Sequence, residues 1–310
     1  MSKKRVIFMG TPHFAASILE HLLTFPIEMV GVVTQRDKPV GRKQILTQPP
    51  VKVVALEHNI NVYQPTKIKE IEETLKELNI DYILTCAYGQ FLPQSILNCA
   101  KEDALNIHAS LLPKYRGGAP IHWSIIKGEN ETGITLMRMI KAMDAGEIFA
   151  QKSVNITLED TASTLHDKLI LCAKELCNEQ LMNVLENKVV PRSQNDLEAS
   201  FGYNIQPEDE FVSFNRPAPI VHNHIRGLVS WPVGHALLDS KRFKLYGSKL
   251  SHQKSVHSPG TITKVDTTGM HVSTLSEVII ITHIQVEGRK LYSVSDDVSY
   301  LSQFVFQQFK

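Results

Sequence analysis

The sequence predicts an α/β protein with a doubly wound, mainly parallel sheet, followed by a smaller, β-rich and barrel-like C-terminal domain. Two observations carry this. Up to about residue 190, short and nearly continuous apolar runs alternate with helix-like stretches; beyond about residue 207, short strands follow one another, separated by Gly, Asp and Ser. Strands covered on both faces read as continuous apolar runs, and strands alternating with helices imply parallel pairing. A chain of 310 residues also exceeds the usual span of one hydrophobic core, so two domains are expected.

Taken in order, strands are expected at residues 5–9, 29–34, 82–87 and 104–108. Helices are expected at 14–23, at 51–57 behind the Pro49 and Pro50 pair, and at 68–78, where Ile68, Ile71, Leu75 and Leu78 recur at helical spacing. Strands at 134–140 and 148–154 and a long helix over 161–185 complete a Rossmann-like first domain assigned to 1–190. Residues 191–207, PRSQNDLEASFGYNIQP, are polar and turn-rich, as in an exposed linker. The second domain, 208–310, carries strand-like pieces at 236–238, 243–246, 261–265 and 278–284.

A formal charge of +1 excludes a generally basic nucleic-acid coat, so an anionic partner would need a local cluster of Lys and Arg. Cys86, Cys99, Cys172 and Cys177 form no CxxC pair and no zinc-like spacing, which favours reduced thiols. The apolar run near the start covers only residues 6–9, too short for a signal-peptide core. No run approaches the roughly 20 residues that span a bilayer. A cytoplasmic protein with no membrane contact is expected.

Three places could carry chemistry. GTP at 10–12 follows a strand and precedes a helix, yet supplies only one glycine of a dinucleotide fingerprint, so a strand-to-helix turn is the better reading. Asn106 and His108 end a strand two residues apart, which points both side chains to one face. An amide beside an imidazole suits stabilisation of charge on a carbonyl oxygen during acyl transfer, although isolated histidines are more often structural. Asp144, in MDAGE at 143–147, could reach a cleft or simply form a tight turn. His222 and His224 lack a third ligand at metal spacing, so a structural role and no metal are expected.

The stretch NIHASLLPKYRGGAP at 106–120, with MDAGEI at 143–148, resembles the signature of the folate-dependent formyltransferase superfamily. IFMGTPHFA at 7–15, TQRDKPVGRKQILTQPPVK at 34–52, ILTCAYGQFLP at 83–93 and HNHIRGLVSWPVGHA at 222–236 extend the resemblance over both domains, toward the branch that formylates methionine carried on initiator tRNA. It departs in small ways: Arg36 stands where a proline is usual, and Val233, Gly234 and His235 follow the Trp-Pro pair. The resemblance implies a catalytic triad of Asn106, His108 and Asp144, with 10-formyltetrahydrofolate as donor and the α-amine of methionyl initiator tRNA as acceptor. It also implies a donor site framed by Cys86, Tyr88, Gly89, Gln90 and Phe91 and by Ser110, Leu111, Leu112 and Pro113, with Tyr115 and Arg116 extending toward its mouth.

The local basic cluster falls in the loop: Arg36, Lys38, Arg42, Lys43 and Lys52 face one acid, Asp37. Such runs are usually solvated surface. The resemblance makes this one a tRNA-binding loop through Arg36, Lys38, Arg42 and Lys43, with Lys241, Arg242 and Lys244 as further backbone contacts. A monomer is expected. Two other readings stay open: a folate-dependent formyltransferase for a small amine such as an amino-sugar nucleotide, and a noncatalytic tRNA-binding protein on the same fold.

Overall fold

The computed structural model describes residues 3–41 and 43–310. In chain order, β1 (Lys4–Gly10), α1 (His13–Leu22) and β2 (Ile27–Val33) are followed by a short hairpin of β3 (Lys38–Val40) and β4 (Ile45–Thr47). Next come α2 (Pro50–Glu57), β5 (Val62–Tyr63), a 3-10 turn at Ile68–Ile71 leading into α3 (Glu72–Glu77), then β6 (Tyr82–Cys86), α4 (Gln94–Leu97) and β7 (Asp103–His108). The first sheet closes with α5 (Pro120–Ile126), β8 (Glu131–Arg138), β9 (Ile148–Asn155), α6 (Ala162–Leu176), a π-turn at Cys177–Leu181 and α7 (Met182–Leu185).

The sheet order is β5-β2-β1-β6-β7-β8-β9. β1 pairs in parallel with both β2 and β6, β6 in parallel with β7, and β8 runs antiparallel to β7. The order reverses between β1 and β6, and in such sheets ligands sit beyond the carboxyl ends of the strands at the reversal. Val6, Ile7, Phe8 and Met9 of β1 have no exposed surface, which accounts for the unbroken apolar run. Gly10 ends that strand because a Cβ there would lie 2.8 Å from the Cys86 carbonyl oxygen and 2.7 Å from Ala15 Cβ.

After Asn204 the chain forms α8 (Ala218–Leu228), β10 (His235–Leu238), β11 (Lys241–Lys254), β12 (Ile262–Asp266), β13 (Gly269–Val272), β14 (Glu277–Val286), β15 (Tyr292–Ser293) and α9 (Val298–Leu301). The antiparallel order is β10-β11-β14-β13-β12, with β15 on β14. The C-terminal tail joins the two edges: Phe306 N–H donates to Ile262, Phe309 N–H to Gly260, and Lys310 N–H to Leu237. That closure covers edge strands and encloses Val212, Phe214, Phe243, Ile281 and Phe309, giving the expected barrel-like character.

Two compact units divide the chain, one comprising Met1–Pro120, Thr132–Val154 and His166–Tyr203, the other Ile121–Glu131, Asn155–Leu165 and Asn204–Lys310. The boundaries expected at 190 and 207 leave residues 121–131 and 155–165 in the first domain; here they belong to the second unit. Arg226 on α8 donates to the Thr157 carbonyl at 2.9 Å and the Asp160 carbonyl at 2.6 Å, and the Gly227 carbonyl meets His122 Nδ1 at 2.8 Å. Gly227 is required at this contact, since a Cβ would sit 2.6 Å from Ile126 Cγ1. Among the described residues no helix is long and apolar enough to cross a membrane.

Burial holds the imidazoles of His222, His224 and His235 below the ordinary histidine value of 6.5. His235 Nδ1 has no partner, as suits a neutral ring. A lowered folded-state value means that these groups cost nothing above pH 6.5, and that stability is lost as the unfolded chain takes up protons below it. Urea unfolding followed by the fluorescence of Trp123 and Trp231, both in the second unit, should show a midpoint that falls between pH 7 and pH 5. Each histidine contributes at most about 1.4 kcal/mol per pH unit. A midpoint that stays level across this interval would contradict the assignment.

Candidate active site

Asn106 and His108 lie at the carboxyl end of β7, between β6 and β8. The parallel register sets Thr85 of β6 opposite Asn106, and the antiparallel register sets Met137 and Thr135 of β8 opposite Asn106 and His108. Thr85 Oγ1 donates to Asn106 Oδ1 at 2.8 Å. That bond turns the amide so that Nδ2 faces Asp144 Oδ1 at 3.5 Å. His108 is 6% exposed, and its Nε2 lies 3.0 Å from the Tyr115 carbonyl oxygen. A carbonyl only accepts, so Nε2 carries the hydrogen and Nδ1 is the atom that faces Asp144, 3.8 Å from Oδ2.

Asp144 sits in the loop between β8 and β9 with a left-handed backbone, φ +48°. Its Oδ2 accepts the Gly117 N–H at 2.8 Å. Tyr115 is also left-handed, φ +58°, which bends the chain so that its carbonyl reaches His108 and the amide two residues on reaches Asp144. An amide, an imidazole and a carboxylate separated by up to 38 positions thus meet at one strand end.

The residues expected to frame a cofactor divide. Ser110 is wholly buried: its Oγ donates to the Lys114 carbonyl at 2.6 Å and its carbonyl accepts from Thr135 Oγ1 at 2.6 Å. Leu112 is 2% exposed in a cluster with Met137 and Ile148. Its N–H goes to Thr135 Oγ1 at 3.1 Å and its carbonyl to Gln151 Nε2 at 2.9 Å. Both residues are structural supports here, and the half-buried Leu111 and Pro113 are the parts of the segment that a ligand could meet. Leu112–Pro113 is a cis peptide.

Burial pushes the Cys86 thiol far up, and the side chain faces the core, leaving only its main chain for a ligand. Tyr88 is likewise buried, its hydroxyl pushed up to about 12 by desolvation, and its carbonyl accepts from Thr11 Oγ1 at 2.9 Å. Ala87 at φ +46° and Gly89 at φ +85° are exposed and turn their peptide groups out of the strand ladder. Gln90 Oε1 accepts the Ile68 N–H at 3.0 Å, so that side chain supports the neighbouring loop. Phe91 is 63% exposed beside an open cleft of about 580 Å3 lined also by Thr66, Lys67, Lys69 and Pro93.

The basic loop is a hairpin, with Lys38 paired to Thr47 and Val40 to Ile45. Lys52 Nζ lies 2.8 Å from Asp37 Oδ2, and the hydrogen bond from Gln64 together with Lys52 lowers the Asp37 carboxyl. This pairing removes Lys52 from the exposed charge and leaves Arg36, Lys38 and Lys43 on the surface; Arg42 lies outside the described residues. Val40, Ile45 and Leu46 are 56%, 62% and 67% exposed, so the hairpin presents apolar as well as cationic side chains. His222 Nδ1 meets Ser248 Oγ at 2.9 Å and His224 Nε2 meets the Asp209 carbonyl at 2.7 Å. Among the described residues no group of three or more His, Cys, Asp and Glu could hold a metal ion.

Thr85, Thr135, Gln151 and the Gly117 amide hold this site and are not singled out by the sequence. Strand register alone places Thr85 and Thr135 beside it, and register is not readable from a motif.

Residues 3–181 match the family model of formyl transferases, and residues 204–299 match that of the formyl transferase C-terminal domain. Methionyl-tRNA formyltransferase of Staphylococcus epidermidis is 47% identical over 298 residues, covering 95% of this chain and 96% of that protein. The Staphylococcus aureus protein of the same name, from strain N315, is 45% identical over 291 residues, covering 92% and 93%. Among solved structures, an N-formyltransferase from Helicobacter canadensis in complex with folinic acid and dTDP-3-aminofucose superposes with a TM-score of 0.70 at 21% identity, over 90% of this chain and 98% of that one. HypX from Aquifex aeolicus, in complex with tetrahydrofolic acid, gives 0.63 at 16% identity, over 98% of this chain and 48% of that one. At such identities these two structures speak for the fold alone.

Gly146 packs against β8 so closely that a Cβ would lie 2.0 Å from the Arg138 carbonyl oxygen. Gly146→Ala must therefore displace the Asp144 loop, and urea unfolding should show a loss of about 1–3 kcal/mol relative to the parent chain. An unchanged midpoint would mean that the loop is looser than this contact implies.

Proposed function

The chain belongs to the formyl transferase family, and from that premise we infer that it transfers the formyl group of 10-formyltetrahydrofolate to the α-amine of methionine on initiator tRNA, for translation initiation. The observation that carries this reading is the 47% identity over 95% of the chain, since it spans both domains and not only the catalytic one. An acceptor that is a small amine would give the hairpin and the second unit no evident task.

The donor supplies the formyl carbon that the amine attacks. Leu111, Pro113 and the turned-out peptide groups at Ala87 and Gly89 fit a flat heterocycle that wants apolar walls and main-chain hydrogen bonds. The cleft beside Phe91 gives its aryl and carboxylate end a place near Lys67 and Lys69.

Asn106 Nδ2 and His108 Nδ1 donate to the oxygen on which negative charge develops. Because the Tyr115 carbonyl occupies the Nε2 hydrogen, Nδ1 is the His108 atom left to face the reacting group, 3.8 Å from Asp144 Oδ2. Loss of one such donor costs roughly 3 kcal/mol of transition-state stabilisation. Asp144 takes the proton that the amine sheds, directly or through water, and one proton is returned to the departing nitrogen. Its hydrogen bond from Gly117 keeps the carboxylate pointed at the other two groups.

The hairpin meets the acceptor arm. Arg36, Lys38, Arg42 and Lys43 contact phosphates, and Val40, Ile45 and Leu46 cover apolar surface on the same partner. Lys241, Arg242 and Lys244 on β11 add sequence-independent contacts.

Two measurements test this. With methionyl initiator tRNA, Asp144→Asn should lower kcat by about 100-fold or more while the donor Kd stays within a small factor. Unchanged turnover would remove the carboxylate from the mechanism. A chain with both Lys38→Ala and Lys43→Ala should bind tRNA more weakly, and the slope of log K against log salt should become shallower by about 1–2. Equal affinity and equal slope would clear the hairpin of that role.

A further inference from the structure

We infer that Gln194 is a positioning residue for Asp144, holding the Asp144 loop by its main chain from a segment outside the strands that carry the triad. The inference rests on the reading of Asp144 as proton acceptor. Gln194 Nε2 donates to the Asp144 carbonyl at 2.8 Å and to the Gly146 carbonyl at 2.7 Å. Its Oε1 accepts from Arg116 Nε at 3.1 Å and Nη2 at 2.8 Å. A guanidinium has only donors, so it fixes the amide with its oxygen toward Arg116 and both N–H groups toward the loop. Arg116 is itself 6% exposed, and its Nη2 is held by Asp196 Oδ1 at 2.7 Å.

The arrangement is economical in chain. Residues 115–117 reach two triad members and the clamp: the Tyr115 carbonyl takes His108, the Arg116 side chain takes Gln194, and the Gly117 amide takes the Asp144 carboxylate. The same segment pairs with residues 200–202, since Arg116 N–H donates to Ser200, Gly202 N–H to Arg116, and Ala119 N–H to Gly202. Asp144 needs such support because its φ of +48° is a conformation that non-glycine residues leave readily. Gln194 holds the backbone there while Gly117 aims the carboxylate.

The test is formylation of methionyl initiator tRNA by the full chain, with kcat and KM measured separately. Gln194→Ala should lower kcat about 10- to 100-fold with little change in either KM, since misplacement of a reacting group by about 1 Å costs that much. Gln194→Glu, of nearly the same shape and able to keep Arg116 but without N–H donors, should lose as much, which separates the clamp from mere filling of space. In an Asp144→Asn background Gln194→Ala should cost less than about twofold more, because residues that act as one unit are not additive. Near-parental kcat in Gln194→Ala, or the same fold loss in both backgrounds, would overturn the inference. If Asp144→Asn alone retained parental turnover, the reading of Asp144 would fall first and the clamp with it; additive losses beside a crippled Asp144→Asn would remove the clamp alone.

Discussion

The site depends on alternation at the carboxyl end of β7. Two residues apart on an extended strand, Asn106 and His108 share a face whatever the loops do, and the pairing with β6 and β8 prevents a one-residue slip that would turn both away. Thr85 from one neighbour orients the Asn106 amide, and Thr135 from the other ties Ser110 and Leu112 beneath the loop that bends back over His108. The third group cannot come from the strand, because a carboxylate aimed at the same point needs its own approach. It comes from a loop in which Asp144 is left-handed and its carboxylate accepts from the Gly117 N–H and from Asn106 Nδ2.

That division of labour bears on chemistry. The strand-borne pair is fixed by a ladder of main-chain hydrogen bonds, so under the proposed function its donors would be preorganised, which is where electrostatic stabilisation gains most. The loop-borne carboxylate is held by other means, its main chain by Gln194 and its Oδ2 by the Gly117 amide. The tautomer of His108 follows from the Tyr115 carbonyl and leaves Nδ1 facing Asp144.

Much of the fold was legible from residues. β1, β6 and β7 read as strands because burial on both faces makes them mostly apolar, with polar exceptions such as Thr85 of β6 and Asn106 and His108 of β7 near the strand ends. The β3–β4 hairpin did not, since its residues are exposed on both faces and no alternation marks it. β11 runs over Lys241–Lys254, far beyond the four residues expected, because register shifts between Leu245 and Gly247 and between Gly247 and Ser248 interrupt the alternation. The stretch at 191–207 is polar, as a linker would be, but part of that polarity is spent on hydrogen bonds to the Asp144 loop and to Arg116. In the site, spacing paired Asn106 with His108, but only the motif resemblance brought in Asp144. Ser110 and Leu112 pack their side chains inward, and a motif does not tell which side of a loop does so. Thr85, Gly117 and Gln194 were invisible, since each acts through register or main chain.

The central claim is that Asn106, His108 and Asp144 surround one formyl carbon. A crystal structure of the chain with an unreactive formyl-folate analogue tests it most directly. The account predicts the formyl oxygen within hydrogen-bonding reach, about 3 Å, of Asn106 Nδ2 and His108 Nδ1, with the formyl carbon on the Asp144 side of β7. A formyl group bound elsewhere, with these three side chains beyond reach of it, would contradict the account.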